Sequence, residues 1–180
     1  MNKKIEDLIH LFNTKGVENY FGEVVSKQEH MIQAAVLAQD NMEPEQVILA
    51  CLLHDIGHLL ENDDMNGLGV KDHGFVGKQY LEEMGMNKKV CKLVEKHVDA
   101  KRYLVSTDET YYEKLSDASK KTLEYQGGKM DTKEIEIFEG DIDMLNILGV
   151  RYYDENGKKI KVKDLPPIES FIPLLKKYIR

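Results

Sequence analysis

Several features are scarce in this sequence, and each scarcity removes a class of protein. Only two cysteines, Cys51 and Cys91, occur in 180 residues. Both fall within apolar helical patterns, so they are expected as buried free thiols of a reducing compartment, not as a disulfide or a metal motif. Basic charge is not in excess: 25 Lys and Arg stand against 32 Asp and Glu, a net charge of −7. A nucleic-acid partner is therefore not expected, while a local basic pocket for a small anion fits that balance. No apolar run approaches membrane-spanning length and no signal-peptide pattern opens the chain, so the expectation is a cytoplasmic protein without a membrane partner. Repeats, linkers and low-complexity tracts are missing too. What remains is 42% hydrophobic and 32% charged, and it is expected to form one domain over residues 1–180.

The apolar periodicity is helical almost throughout. Ile5, Leu8, Ile9 and Phe12 mark a first helix, followed by a loop over residues 13–25. Ser26 and Glu29 form a capping box, and the helix they open runs to about Asp40. Pro44 suits the first turn of the next helix, whose residues 47–53 carry no charge and should form the buried centre. Gly57 disturbs that helix, and residues 61–71 read as a loop. Asp72 is placed to cap a helix ended by Gly85. Further helices are expected around His97, near 108–125, over about 131–148 with an end at Gly149, and at 168–179. The fold class is all-α, with at most a small hairpin near 152–162 about the Asn156-Gly157 turn.

Chemistry concentrates at the end of the apolar run, where His54, Asp55 and His58 follow one another within five positions. Ionisable groups are costly to bury unless they are paired or bind a metal. Five of the six histidines, His30, His54, His58, His73 and His97, lie on or beside four expected helices, and only His10 stands apart. Imidazole with carboxylate is the ligand set of iron, manganese and zinc. A single His on an apolar face is more often a hydrogen-bonded core residue than a ligand. Five together would each need a separate hydrogen-bond solution without a metal. For a final carboxylate ligand, Asp141, Asp143 and Asp154 remain open alternatives on this pattern.

The order His30, His54-Asp55, His73, His97 and a late Asp resembles the HD-domain superfamily, all-helical bundles that are mostly metal-dependent phosphohydrolases. Beyond that signature, the chain resembles the HD diiron oxygenases that cleave the carbon–phosphorus bond of 1-hydroxy-2-aminoethylphosphonates. That resemblance is carried by Tyr20-Phe21-Gly22-Glu23, by His97 through Leu104, by Leu115-Ser116-Asp117-Ala118-Ser119, by Gln126-Gly127-Gly128 and by Arg151-Tyr152-Tyr153-Asp154.

The resemblance implies a mixed-valence Fe(II)/Fe(III) pair and dioxygen as co-substrate. His30, His54, Asp55 and Asp154 would hold one iron, and His73 and His97 the other, with Asp55 bridging. It favours Asp154 among the three late aspartates. It implies that Lys101, Ser119, Gln126 and Arg151 surround the phosphonate. Tyr20 and Glu23 would form a pair that covers the second iron until substrate displaces it, with Glu23 then meeting the substrate's ammonium. His58 has no assigned iron and is expected to touch substrate or support a ligand. The implied reaction gives phosphate and glycine, or the N-methylated analogue when the substrate carries a trimethylammonium. The rival readings are an HD phosphohydrolase acting on a nucleotide or other phosphate ester, and a regulatory HD module without turnover.

Overall fold

The uncharged run at residues 47–53 decides the architecture, because a helix that is apolar on every side has to be covered on every side. In a computed structural model, which describes residues 2–20, 24–60, 65–158 and 164–180, that helix is the centre of an all-α bundle. The elements are α1 (Lys3–Lys15), α2 (Lys27–Asp40), α3 (Glu45–Leu53), α4 (Gly57–Leu60), α5 (His73–Glu83), α6 (Lys88–Thr107), α7 (Tyr111–Lys114), α8 (Asp117–Tyr125), α9 (Thr132–Glu139) and α10 (Met144–Asn156). A 3₁₀ turn (Ile168–Phe171) then leads into α11 (Ile172–Tyr178). No strand occurs among the described residues; the isolated bridges Asn19–Ser26 and Met86–Ile179 tie loops together.

Helix α3 packs against α2, α6, α10 and α11. Leu49, Leu52, Leu53 and Ile56 have no exposed surface, and each such side chain contributes about 1.5–3 kcal/mol of hydrophobic stabilisation. Helix α6 also packs on α5 and α10, so α2, α3, α5, α6 and α10 surround one interior. The α1, 3₁₀ and α11 elements close one side of it. A second, small apolar cluster of Val105, Tyr111, Leu115 and Leu123 lies under α7 and α8.

Local signals act largely as the sequence suggests. Ser26 and Glu29 form the reciprocal capping box of α2. Gly85, at φ +77°, terminates the α5 segment, and a Cβ there would meet the Arg180 carbonyl at 2.4 Å. Asp72 occupies the cap position of α5 but its side chain makes no cap hydrogen bond. Gly149 does not end a helix: α10 runs through it to Asn156. Glycine costs a helix about 1 kcal/mol against alanine, and burial of Ile147, Val150 and Tyr153 on either side outweighs that. The hairpin expected near 152–162 is likewise overturned, since residues 152–156 are the last turns of α10; residues 159–163 lie outside the described residues. No described helix is long and apolar enough to cross a membrane.

Candidate metal centre

Four histidines reach one point from four directions. His30 comes from α2, His54 from the end of α3, His73 from the first position of α5 and His97 from the middle of α6. All are buried, as are Asp55, His58, Lys101, Arg151 and Asp154. The backbone fixes how each ring is presented. His30 Nδ1 lies 3.0 Å from the Gly157 carbonyl, His54 Nδ1 2.8 Å from that of Cys51, His73 Nδ1 3.0 Å from that of Val70 and His97 Nδ1 2.6 Å from that of Val94. A carbonyl only accepts, so each Nδ1 carries the proton and each Nε2 keeps a lone pair. Those four lone pairs face inward. His30 and His54 Nε2 stand 3.0 Å apart, and so do His73 and His97 Nε2.

Asp55 spans the two pairs. Its Oδ2 is 3.6 Å from His30 Nε2 and 3.4 Å from His54 Nε2. Its Oδ1 is 3.3 Å from His73 Nε2 and 3.7 Å from His97 Nε2. Asp154 joins the first pair, with Oδ1 3.2 Å from His30 Nε2 and 3.6 Å from His54 Nε2. Asp141 and Asp143 are elsewhere, in ion pairs with Lys89 and Lys92.

Two buried carboxylate oxygens, Asp55 Oδ2 and Asp154 Oδ1, make no hydrogen bond. Buried carboxylate oxygens and imidazole lone pairs turned on one another are stabilised by a cation between them. The donor set of nitrogen and oxygen atoms fits first-row transition metals. The residues present therefore fit a metal centre, with two adjacent groupings: His30, His54 and Asp154, and a second about Asp55 and His73. Without a cation a proton takes its place on His54: burial opposes charge there, but Asp55 and Asp154 raise its pKa to about 10, so its Nε2 offers a lone pair only when a metal displaces that proton. Burial, then His73 and His54, push His97 down to about 3. Burial alone would raise Asp55, yet the surrounding imidazoles hold its carboxyl well below the usual range.

His58 differs from the other four. Its Nδ1 accepts the Val70 N–H at 3.0 Å, so in the neutral ring the proton sits on Nε2. Burial and the neighbouring His73 keep that ring neutral. Its Nε2 lies 3.9 Å from Asp55 Oδ1; although Asp55, His58 and His73 group by distance, this tautomer makes His58 a donor and not a ligand.

A cavity of about 40 Å³ adjoins the centre. Tyr20, His58, Lys101, Ser119, Gln126, Arg151 and Asp154 all line it. Tyr20 stacks on His30 with ring centroids 4.3 Å apart, and burial followed by the Asp55 and Asp154 charges pushes its phenol pKa up. Burial and then Arg151 lower Lys101 to about 7; its Nζ donates to Thr122 Oγ1 at 3.0 Å. Glu23 lies outside the described residues.

Sequence reasoning missed Thr122 and Lys158, which also line the cavity. Thr122 had a signal: Ser119, Thr122 and Gln126 share one face of α8 and its cap at helical spacing. Lys158 Nζ stands 5.3 Å from the centre of the Tyr20 ring, a contact with no trace in the sequence.

Fold and site together define a helical bundle built around an interior His/Asp metal-binding cluster. The chain belongs to the HD domain family, whose model matches residues 25–138. It is 37% identical, over 98% of its length and 82% of the relative's, to an uncharacterized protein of Acanthamoeba polyphaga mimivirus. It is 36% identical, over 97% of its length and 90% of the relative's, to the [1-hydroxy-2-(trimethylamino)ethyl]phosphonate dioxygenase (glycine-betaine-forming) of Leisingera caerulea. It is 35% identical, over 94% of its length and 85% of the relative's, to the hydroxymethylphosphonate dioxygenase of Gimesia maris.

Proposed function

We propose that this protein is a diiron oxygenase that cleaves the carbon–phosphorus bond of a 1-hydroxyalkylphosphonate, with a 2-amino or 2-trimethylammonio ethyl compound as the substrate expected from the resemblance. The observation that carries the reading is Asp55, one carboxylate whose two oxygens face two different pairs of imidazole lone pairs beside a cationic cavity. The names of the Leisingera and Gimesia relatives support it.

His30, His54 and Asp154 would hold one iron and His73 and His97 the other, with Asp55 shared. An Fe(II)/Fe(III) pair bound there supplies dioxygen activation and redox capacity. The remaining work belongs to the chain. Lys101 and Arg151 neutralise the phosphonate, while Ser119, Thr122 and Gln126 offer neutral hydrogen-bonding groups. Gln126 Oε1 is buried without a hydrogen bond and faces this cavity. Tyr20 excludes water from the second metal position, and Glu23 takes the amino end of the substrate. His58, with its proton on Nε2, donates to a substrate oxygen. The net reaction balances: hydroxyphosphonate dianion and O2 give a carboxylate, hydrogen phosphate and one proton, the four electrons taken by O2 coming from C1.

The test loads the protein with iron, reduces it partially and records electron paramagnetic resonance spectra with and without a hydroxyphosphonate. A coupled mixed-valence signal that substrate perturbs, with O2-dependent release of phosphate, is the expected result. Phosphate-ester hydrolysis on magnesium or manganese with no dinuclear iron signal would overturn it in favour of a phosphohydrolase.

A further inference from the structure

Helices α7 and α8 form a cap with an apolar cluster of their own, and Tyr111 is its polar link to the metal centre. The cluster of Val105, Tyr111, Leu115 and Leu123 is separate from the main core. The cap brings Ser119, Thr122 and Gln126 to the cavity wall. Tyr111 is buried. A phenylalanine would fill the same cluster, so the hydroxyl needs another explanation, and a buried hydroxyl needs partners.

Those partners lie on α10. Arg151 Nε donates to the Tyr111 oxygen at 3.0 Å, and the Tyr111 hydroxyl hydrogen-bonds Glu155 Oε1. The same Glu155 oxygen accepts from Arg151 Nε at 2.9 Å. On its other edge, Arg151 Nη1 donates to Asp154 Oδ2. The guanidinium is planar, so holding Nε and Nη1 fixes where Nη2 points. Arg151 Nη2 is buried and makes no hydrogen bond, although Glu155 Oε1 is 2.9 Å away. Arg151 also lines the cavity. The ion pair with Glu155 leaves Nη2 without a hydrogen bond, and a buried cationic donor with an unused N–H is costly unless a ligand completes it.

We propose that Tyr111 is a positioning residue: its hydroxyl, with Glu155, sets the plane of the Arg151 guanidinium so that Nη2 is held ready for an anion, and so ties docking of the α7–α8 cap to anion affinity. The identity of that anion as a phosphonate rests on the function proposed above; the geometry does not. Tyr111 touches neither the metal ligands nor the anion. Its effect is therefore on affinity, through the alignment of one charge-assisted hydrogen bond.

The experiment uses the full metal-loaded chain and titrates inorganic phosphate calorimetrically into wild type, Tyr111→Phe and Glu155→Gln. Metal content, kcat and KM for a hydroxyphosphonate are measured alongside. The expected result is a Kd for phosphate, and a KM, raised about tenfold in Tyr111→Phe, with two metals per chain and kcat within about twofold. Glu155→Gln should move the same quantities the same way, and it keeps the test alive if Tyr111→Phe does not fold. In an Arg151→Met background, Tyr111→Phe should have no further effect on phosphate binding. Wild-type phosphate affinity in both single variants, additive effects in that background, or a Kd shift matched by metal loss would overturn the proposal. Phosphate weakened in Tyr111→Phe while wild type oxidises no hydroxyphosphonate would sink the oxygenase reading and leave this one standing.

Discussion

His58 and His73 stack with ring centroids 4.1 Å apart, yet the peptide atoms of Val70 hold them in opposite tautomers. The Val70 N–H enters His58 Nδ1, and His73 Nδ1–H is given to the Val70 carbonyl. Two neighbouring rings thus present a proton and a lone pair, respectively, to the same cavity. Replacing them should have different consequences. His73→Ala is expected to lose about one metal per chain, whereas His58→Ala keeps both and loses most turnover, on the order of a hundredfold for a missing proton donor. Elemental analysis of the two purified variants decides it, and metal loss in His58→Ala would falsify the tautomer argument.

Lys101 gives a pH dependence with a definite sign. Its folded-state pKa of about 7 lies below the unfolded value of about 10.4. The unfolded chain therefore binds more protons between these values, and the ligand-free protein gains stability as pH rises across them. Anion binding runs the other way, because the anion needs the ammonium. Phosphate affinity should fall by up to about tenfold per unit above about pH 7 in wild type. Lys101→Arg, charged throughout, should flatten that fall. Equal pH slopes in the two proteins would exclude Lys101 as the group responsible.

Gly57 is a steric test of the second metal position. A Cβ on Gly57 would sit 2.1 Å from the carbonyl oxygen of His73. Gly57→Ala must therefore push the start of α5 away, at a cost of about 1–3 kcal/mol for overpacking. Because His73 is the residue displaced, the variant should keep metal at His30, His54 and Asp154 and lose it at His73 and His97. A variant that retains two metals per chain and full turnover would contradict this.

Metal removal should destabilise the fold. Without a cation, Asp55 Oδ2 and Asp154 Oδ1 stay buried and unpartnered. A metal present at a hundred times its dissociation constant adds about 2.7 kcal/mol per site. Thermal unfolding before and after chelation should show a lower midpoint in the stripped protein, restored by adding iron back. An unchanged midpoint would mean that the centre does not hold the helices together.

The bundle was legible because its signals are local: the uncharged run of α3, the Ser26–Glu29 box and the glycine after α5 each act over a few residues. The histidines were legible because their chemistry is rare and clustered. Gly149 misled because a propensity near 1 kcal/mol was set against burial that only the tertiary structure reveals. Asp141, Asp143 and Asp154 look alike in sequence; what separates them is that Lys89 and Lys92 occupy the first two. The same holds for Tyr111 and Val70, whose roles depend on atoms brought from other helices. The Nδ1 partners of the histidines are mostly three residues back in the chain, within the helical run at Cys51 and Val94 and just ahead of α5 at Val70, and so are local contacts.

His30 is the exception. Its Nδ1–H goes to the Gly157 carbonyl, 127 residues away, and a Cβ on Gly157 would press on α2 at the His30 carbonyl and the Ala34 nitrogen, each 3.0 Å off. The lone pair that His30 turns to the centre is thus set by a part of the chain made 127 residues after it. A growing polypeptide can bring His30, His54 and Asp55 together as soon as α2 and α3 pair, but it can fix the His30 ring only after α10 has been made and docked. Closing so long a loop is slow compared with local helix formation. Assembly of this grouping therefore waits for α10, and a nascent chain in a cell rich in competing cations presents an incomplete set of candidate ligands until Gly157 has been made and docked.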